Sequence, residues 1–149
     1  MKKSILIFVF ALLTVSLPAP GFNCLYIAKA EPVNIILSWS NIDLYISKID
    51  IKEQEIVKAQ IRHETGNLTS EFCQKQNNLF GMRFAPLRKT TAIGEGNHMA
   101  KYRSWQESLL DYKIWQDMYY HGGDYFKFLV KIGYATDPWY IYKLRKLTK

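Results

Sequence analysis

Apolar residues run almost unbroken from Ile5 to Leu17, directly after Lys2 and Lys3, and the run is broken by Pro18 and Pro20. A basic start, a short apolar core and the small residues of Ala28-Lys29-Ala30 make the pattern of a secretory signal peptide, with Glu31 as the first residue after cleavage. The run falls short of the roughly 20 apolar residues a membrane-spanning helix needs. An uncleaved anchor is the alternative, because the stretch from Pro18 to Ala30 is long for the segment between apolar core and cleavage site.

Beyond Ala30, 149 − 30 = 119 residues remain, enough for one modest core and no second domain. Val33 to Ser47 is apolar but weakly periodic, and is expected to be helical. A sharper helix follows. Asp50 with Glu53 forms a capping-box start, Ile56, Val57, Gln60, Ile61 and Glu64 recur at helical spacing, and Gly66 is placed to cap the end. Glu64 therefore falls in the last turn, on the face that the apolar residues bury.

From Thr65 to Ser104 the periodicity disappears and Gly, Asn, Thr and Pro accumulate, which predicts a long irregular segment of the kind that shapes binding sites. Within it, Thr90-Thr91-Ala92-Ile93 and Met99-Ala100-Lys101-Tyr102 flank Gly94-Glu95-Gly96-Asn97, a pattern for a β-hairpin with a flexible tip. Ser104 with Glu107 opens another helix through Leu110, Ile114, Trp115, Met118 and Tyr119, closed by Gly122-Gly123. Asp124 caps a shorter one through Phe126, Leu129, Val130 and Ile132 to Gly133, and Asp137-Pro138 starts a basic terminal helix. Trp105, Trp115 and Trp139 are expected in the core.

Lys and Arg exceed Asp and Glu by 20 − 13 = +7, and loss of Lys2, Lys3 and Lys29 leaves 17 − 13 = +4. That mild excess suits a polyanionic surface such as a cell wall. It lacks the dense basic stripe that would make nucleic acid the partner. Two cysteines exclude a disulfide framework, and once Cys24 is removed Cys73 is a lone thiol, expected to act as a small buried hydrophobe. His63, His98 and His121 show no metal-ligand spacing, so no metal or cofactor is expected.

Glu64 carries the chemistry. A carboxyl on a buried helix face loses water, and the negative end of the helix dipole disfavours its charge further, so both raise its pKa. Held protonated near neutral pH, such a group can donate to a glycosidic oxygen. The position also suits a surface carboxylate paired with Arg62 or Lys58, and periodicity leaves both roles open.

Neighbouring segments separate them. His63-Glu64-Thr65-Gly66-Asn67 is followed by Asn77-Asn78-Leu79-Phe80-Gly81-Met82-Arg83, then by Thr90-Thr91-Ala92-Ile93-Gly94-Glu95. Tyr102-Arg103-Ser104-Trp105-Gln106-Glu107-Ser108, Asp111-Tyr112 and Gly133-Tyr134-Ala135-Thr136-Asp137-Pro138 complete the series. In this order, from about Asp50 to Leu147, the chain resembles the glucosaminidase family, glycoside hydrolase family 73, which includes autolysins and the wall-cutting domain of some flagellar assembly proteins. The resemblance implies an α+β fold, mainly helical and lysozyme-like, with a small β-hairpin beside the cleft, occupying residues 31–149. It implies a peptidoglycan glycan strand as substrate, cut on the reducing side of N-acetylglucosamine, and Glu64 as the catalytic acid.

Other roles follow from the same resemblance. Glu95 stands where relatives carry a second carboxylate, to activate water or support the substrate acetamido group; an ordinary solvated turn residue is the alternative. Tyr134 matches a tyrosine suited to positioning the sugar or the attacking water, or else is a buried tyrosine with a satisfied hydroxyl. Asn78, Phe80 and Tyr102 are expected to line the cleft, although Asn77-Asn78 also suits a turn presenting Leu79 and Phe80 to the core. A lytic transglycosylase, an N-acetylmuramidase or a glycan-binding module on the same fold stays open. The protein is expected to be exported to the periplasm, envelope or medium and to act as a monomer without a membrane segment once cleaved.

Overall fold

The structure is a computed structural model and describes residues 35–148. The proposed signal peptide, its cleavage after Ala30 and Cys24 lie outside the described residues. Ser38 starts the first helix: its backbone is extended and its hydroxyl accepts from the Asn41 amide, so α1 runs Trp39–Lys48 and buries Ile42 and Ile46 one turn apart. Sequence patterning starts this helix at Val33; an extended Ser38 cannot lie inside a helix, so residues 35–38 precede it.

Helix α2 spans Gln54–Glu64. The expected capping box at its start does not form, because Asp50 and Glu53 both adopt left-handed backbone, and Asp50 instead binds Lys52. A distant side chain braces this entry: Gln116 accepts from the Lys52 amide and donates to the Lys52 carbonyl. The helix end follows local rules. Gly66, at φ +54°, turns the chain so that the Asn67 amide reaches the Arg62 carbonyl, and the Thr65 hydroxyl donates to Ile61 O.

The segment expected to be irregular contains a short helix, α3 (Glu71–Gln76), capped by Ser70 and burying Cys73. Six residues carry too little periodicity to stand out. The hairpin consists of β1 (Gly94–Gly96) and β2 (Met99–Lys101), antiparallel, with Glu95 opposite Ala100. Its tip is Asn97-His98, not Gly94 to Asn97: both tip residues take left-handed φ, the conformation a tight two-residue turn demands. Glu95 thus sits on a strand, and Thr90 to Ile93 lead into it as a loop tied by the Thr91 hydroxyl to Glu107 O.

Helix α4 (Trp105–Tyr119) begins at Ser104, whose hydroxyl accepts from the Glu107 amide. Asp124 caps α5 (Tyr125–Lys131), and α6 spans Tyr140–Leu147. Asp137 closes a turn before α6, accepting from the Trp139 amide, so the helix starts later than its proline suggests. α2 packs on α6, and the core gathers Ile42, Val57, Ile61, Leu79, Leu109, Leu129 and Leu144 with a row of tyrosines. Trp105 and Trp115 join it as expected; Trp139 does not, and lies 65% exposed against Tyr142. Among the described residues no helix is long and apolar enough to cross a membrane. The architecture is the mainly helical α+β arrangement expected.

Candidate active site

Glu64 ends α2 at the point where that helix meets the start of α6 and the segment after α3. The surface pairing weighed for it does not occur: Lys58 binds Asp43 and Glu55, and the Arg62 guanidinium lies over the Trp39 ring. Its Oε1 accepts a 2.9 Å hydrogen bond from the Tyr140 hydroxyl. Oε2 has no protein partner among the described residues and faces Gly81, where an added methyl would stand 3.1 Å away. Burial raises the Glu64 carboxyl above the ordinary carboxylate range, and the Tyr140 hydrogen bond only partly opposes it.

Behind Tyr140 a buried row of polar side chains runs through the core. Gln60, one helical turn before Glu64, donates to the Tyr140 hydroxyl at 3.3 Å and accepts from Tyr112 at 2.6 Å. The Tyr112 and Tyr125 hydroxyls are 2.7 Å apart, and Gln116 donates to Tyr125 at 2.9 Å. These side chains come from α2, α4, α5 and α6.

Tyr134 follows α5 and packs against Tyr112, Trp115 and Tyr140, with its hydroxyl donating to the Phe80 carbonyl at 3.0 Å. Burial pushes its phenol well above the ordinary value, helped by Tyr140 and the nearby Glu64 charge. Tyr134 and Glu64 are therefore brought to the same place.

Asn78, Phe80 and Tyr102 sit in the interior. Asn78 holds the turn that carries Gly81: its amide nitrogen donates to Met82 O and Ala100 O, and its oxygen accepts from the Phe80 and Met82 amides. Phe80 is 1% exposed and stacks on Tyr112, with ring centroids 3.9 Å apart. Tyr102 is equally buried, and its hydroxyl donates to Asp111, which also takes a two-pronged ion pair from Arg88. A buried ring offers no face to a sugar, so these residues shape the site from beneath. Asn78, through Ala100, also ties β2 to the turn under Glu64.

Glu95 is exposed on β1, and its carboxylate has no hydrogen-bond or ion-pair partner among the described residues. Among the described residues no three His, Cys, Asp or Glu side chains stand close enough to hold a metal ion. His63 packs edge-on against Tyr140, its imidazole pKa lowered by burial and by Lys143. Cys73 is buried, and that burial pushes its thiol up to about 11, as befits a core residue.

Sequence reasoning passed over Tyr140, Gly81 and Gln60. Gln60 had one readable signal, a polar residue one turn from Glu64 on the same apolar face. Tyr140 had none that distinguished it from the other nine tyrosines.

Residues 41–149 match the glucosaminidase family model, described as mannosyl-glycoprotein endo-beta-N-acetylglucosaminidase. No curated protein and no solved structure gives a significant match.

Proposed function

The chain belongs to the glucosaminidase family, and on that premise we propose that it is a peptidoglycan hydrolase cutting the glycan strand after N-acetylglucosamine. The observation that carries this reading is the state of Glu64. Its pKa is raised by burial, and among the described residues it has no cationic partner and keeps one oxygen free of hydrogen bonds. Such a group, its charged form disfavoured and one oxygen open, is suited to hand a proton to a glycosidic oxygen as the bond from that oxygen to C1 breaks.

Glu64 gives that proton to the glycosidic oxygen as its bond to C1 of N-acetylglucosamine breaks, so the departing sugar leaves as a hydroxyl. Positive charge grows on the ring, and attack at C1 by water, or first by the substrate's own acetamido oxygen, completes the cut. Glu95 is the candidate for the carboxylate that activates water or steadies the acetamido group, delivered by the hairpin when substrate is bound. Tyr134 positions the sugar or the water, while Asn78, Phe80 and Tyr102 set the floor on which the cleft is built. The enzyme works as a monomer outside the cytoplasm, on residues 31–149, with residues 1–30 directing export and no cofactor required.

The test is which bond is cut. Purified sacculi are digested, reduced with borohydride and sequenced by mass spectrometry. Reduced N-acetylglucosamine ends that vanish with Glu64→Gln are expected, since loss of the general acid costs about 10²- to 10⁴-fold. Muramic acid ends would make it a muramidase, anhydro ends a transglycosylase needing no activated water. A wild-type protein that pellets with the wall and releases nothing would be a binding module.

A further inference from the structure

The buried row of side chains ends on protein backbone at one side and on Glu64 at the other, and its hydrogens can be assigned by elimination. Lys52 N–H can only donate and Lys52 C=O can only accept, so the Gln116 amide that bridges them has one orientation: Oε1 toward the amide, 2.7 Å, and Nε2 toward the carbonyl, 2.9 Å. The second Nε2 hydrogen then goes to the Tyr125 oxygen. Tyr125 has accepted, and among the described residues its own proton finds an acceptor only in the Tyr112 oxygen 2.7 Å away. Tyr112 must therefore donate onward to Gln60 Oε1, which turns Gln60 Nε2 toward Tyr140, and Tyr140 donates to Glu64 Oε1.

The reverse polarity is also imaginable. Tyr112 would donate to Tyr125, the Gln60 amide would be flipped, and Glu64 would carry its proton on Oε1 and donate to Tyr140. That arrangement leaves the Tyr125 hydroxyl proton buried without an acceptor, an expensive state in an interior where Gln60, Tyr112 and Gln116 are all fully buried. The backbone N–H and C=O of one residue, Lys52, therefore agree with a single sense for every link.

We propose that Tyr112 and Gln60, whose sense agrees with that set from Gln116 through Tyr125, are positioning residues that hold Tyr140 as a donor to Glu64 Oε1 and so place the catalytic proton on Oε2, the oxygen facing Gly81. This rests on the reading of Glu64 as general acid. Its consequence is that Tyr112, three links away, controls which oxygen of the acid is armed, without touching substrate.

The titratable groups around Glu64 are Tyr140 from α6, Tyr134 from the segment after α5, and His63 from α2 itself, the last facing Lys143 and Asp137. Because His63 is itself titratable and next to Glu64 in the chain, the measurement has to follow Glu64 directly. Its carboxyl carbon is observed by ¹³C NMR in the full-length protein, assigned with Glu64→Gln, alongside the pH profile of wall cleavage. Tyr140→Phe removes the donor to the carboxylate and is expected to raise the Glu64 midpoint by about one pH unit, the scale of a charge-assisted hydrogen bond. Tyr112→Phe leaves Tyr140 in place but removes the donor that fixes the Gln60 amide, so Gln60 can flip and accept from Tyr140. This variant is expected to move the midpoint upward in the same sense by ~0.5 unit, a fraction of that bond, and to lower the plateau rate several-fold with KM unchanged.

In the double variant, Tyr112→Phe should add nothing to Tyr140→Phe, because the row acts only through Tyr140. Tyr125→Phe is the control, since the Tyr112 proton then still has Gln60 Oε1 as its acceptor and the midpoint should stay in place, and Tyr112→Met replaces Tyr112→Phe should melting curves show the latter unfolded. A midpoint unmoved by Tyr112→Phe, a midpoint moved by Tyr125→Phe, or a shift that persists without the Tyr140 hydroxyl, overturns the proposal. The NMR titration does not depend on catalysis, so shifts as expected in a protein that cuts no glycan would leave the row standing and remove only the hydrolase reading.

Discussion

Gly81→Ala places a methyl in front of the free oxygen of Glu64 and tests whether that oxygen is the working one. Two costs follow from the geometry. Gly81 sits at φ +60°, where a side chain strains the backbone by about 1–2 kcal/mol. The new methyl would also stand 3.1 Å from Oε2 and 3.8 Å from Cδ, so something must yield by a few tenths of an ångström. Glu64 cannot retreat freely, since Oε1 is held by Tyr140, and the Gly81 turn cannot retreat without stretching the four hydrogen bonds of Asn78. A domain of this size loses roughly 5 °C of Tm per kcal/mol, so a fall of about 5–10 °C is expected. Activity should fall further than stability, by tenfold to about 10²-fold, because the methyl covers Oε2 and displaces a proton donor that must lie within hydrogen-bond reach of its target. Wall clearance is measured at a temperature where melting curves show both proteins fully folded. A folded Gly81→Ala variant within twofold of the wild-type rate would refute Oε2 as the donor.

Two further outcomes concern ionisation and stability. Asp111 has no exposed surface, and although burial works to raise its pKa, hydrogen bonds from Arg88, Thr90 and Tyr102 hold it below the usual range. Its stabilisation is therefore present above the ordinary carboxylate pKa and lost as pH falls through the lowered value. Asp111→Asn, which leaves the largely buried Arg88 unpaired, should cost roughly 3 kcal/mol in urea denaturation at pH 7 and a smaller amount near pH 3; an equal loss at both pH values contradicts this. Glu64 has the opposite sign. Its raised pKa favours the fold at low pH, and that contribution is lost as pH rises from the ordinary carboxylate value through the raised one. Glu64→Gln should therefore melt higher than wild type at pH 7 and gain less at pH 4, and a stability gap that narrows with rising pH would count against a desolvated acid.

Much of the helical framework was legible because its boundaries are set within one turn of chain. Ser104 and Asp124 cap the helices they precede, and Gly66 supplies the left-handed residue that ends α2, each through contacts three to five residues apart. Glu64 was legible for the same reason: periodicity alone puts it on the buried face of the last turn. The family's segments around it then pointed to acid chemistry.

Contacts across space were not. Asp50 and Glu53 have the pattern of a capping box, yet the entry to α2 is braced by Gln116, 64 residues along the chain. The hairpin register turned on whether Gly94 to Asn97 or Asn97-His98 would bend, and β2's attachment to Met82 and Asn78 chose the latter. Phe80 and Tyr102 have the composition of sugar platforms but are buried, one stacked on Tyr112 and the other bound to Asp111. The partner of Glu64 was the least accessible of all, since Tyr140 lies 76 residues away and its donor sense depends on Gln60 and Tyr112, from two other helices. Backbone rules within a turn depend on the residues themselves. A buried hydroxyl or amide takes whichever partner the packing has desolvated beside it, and that is known only once the helices have met.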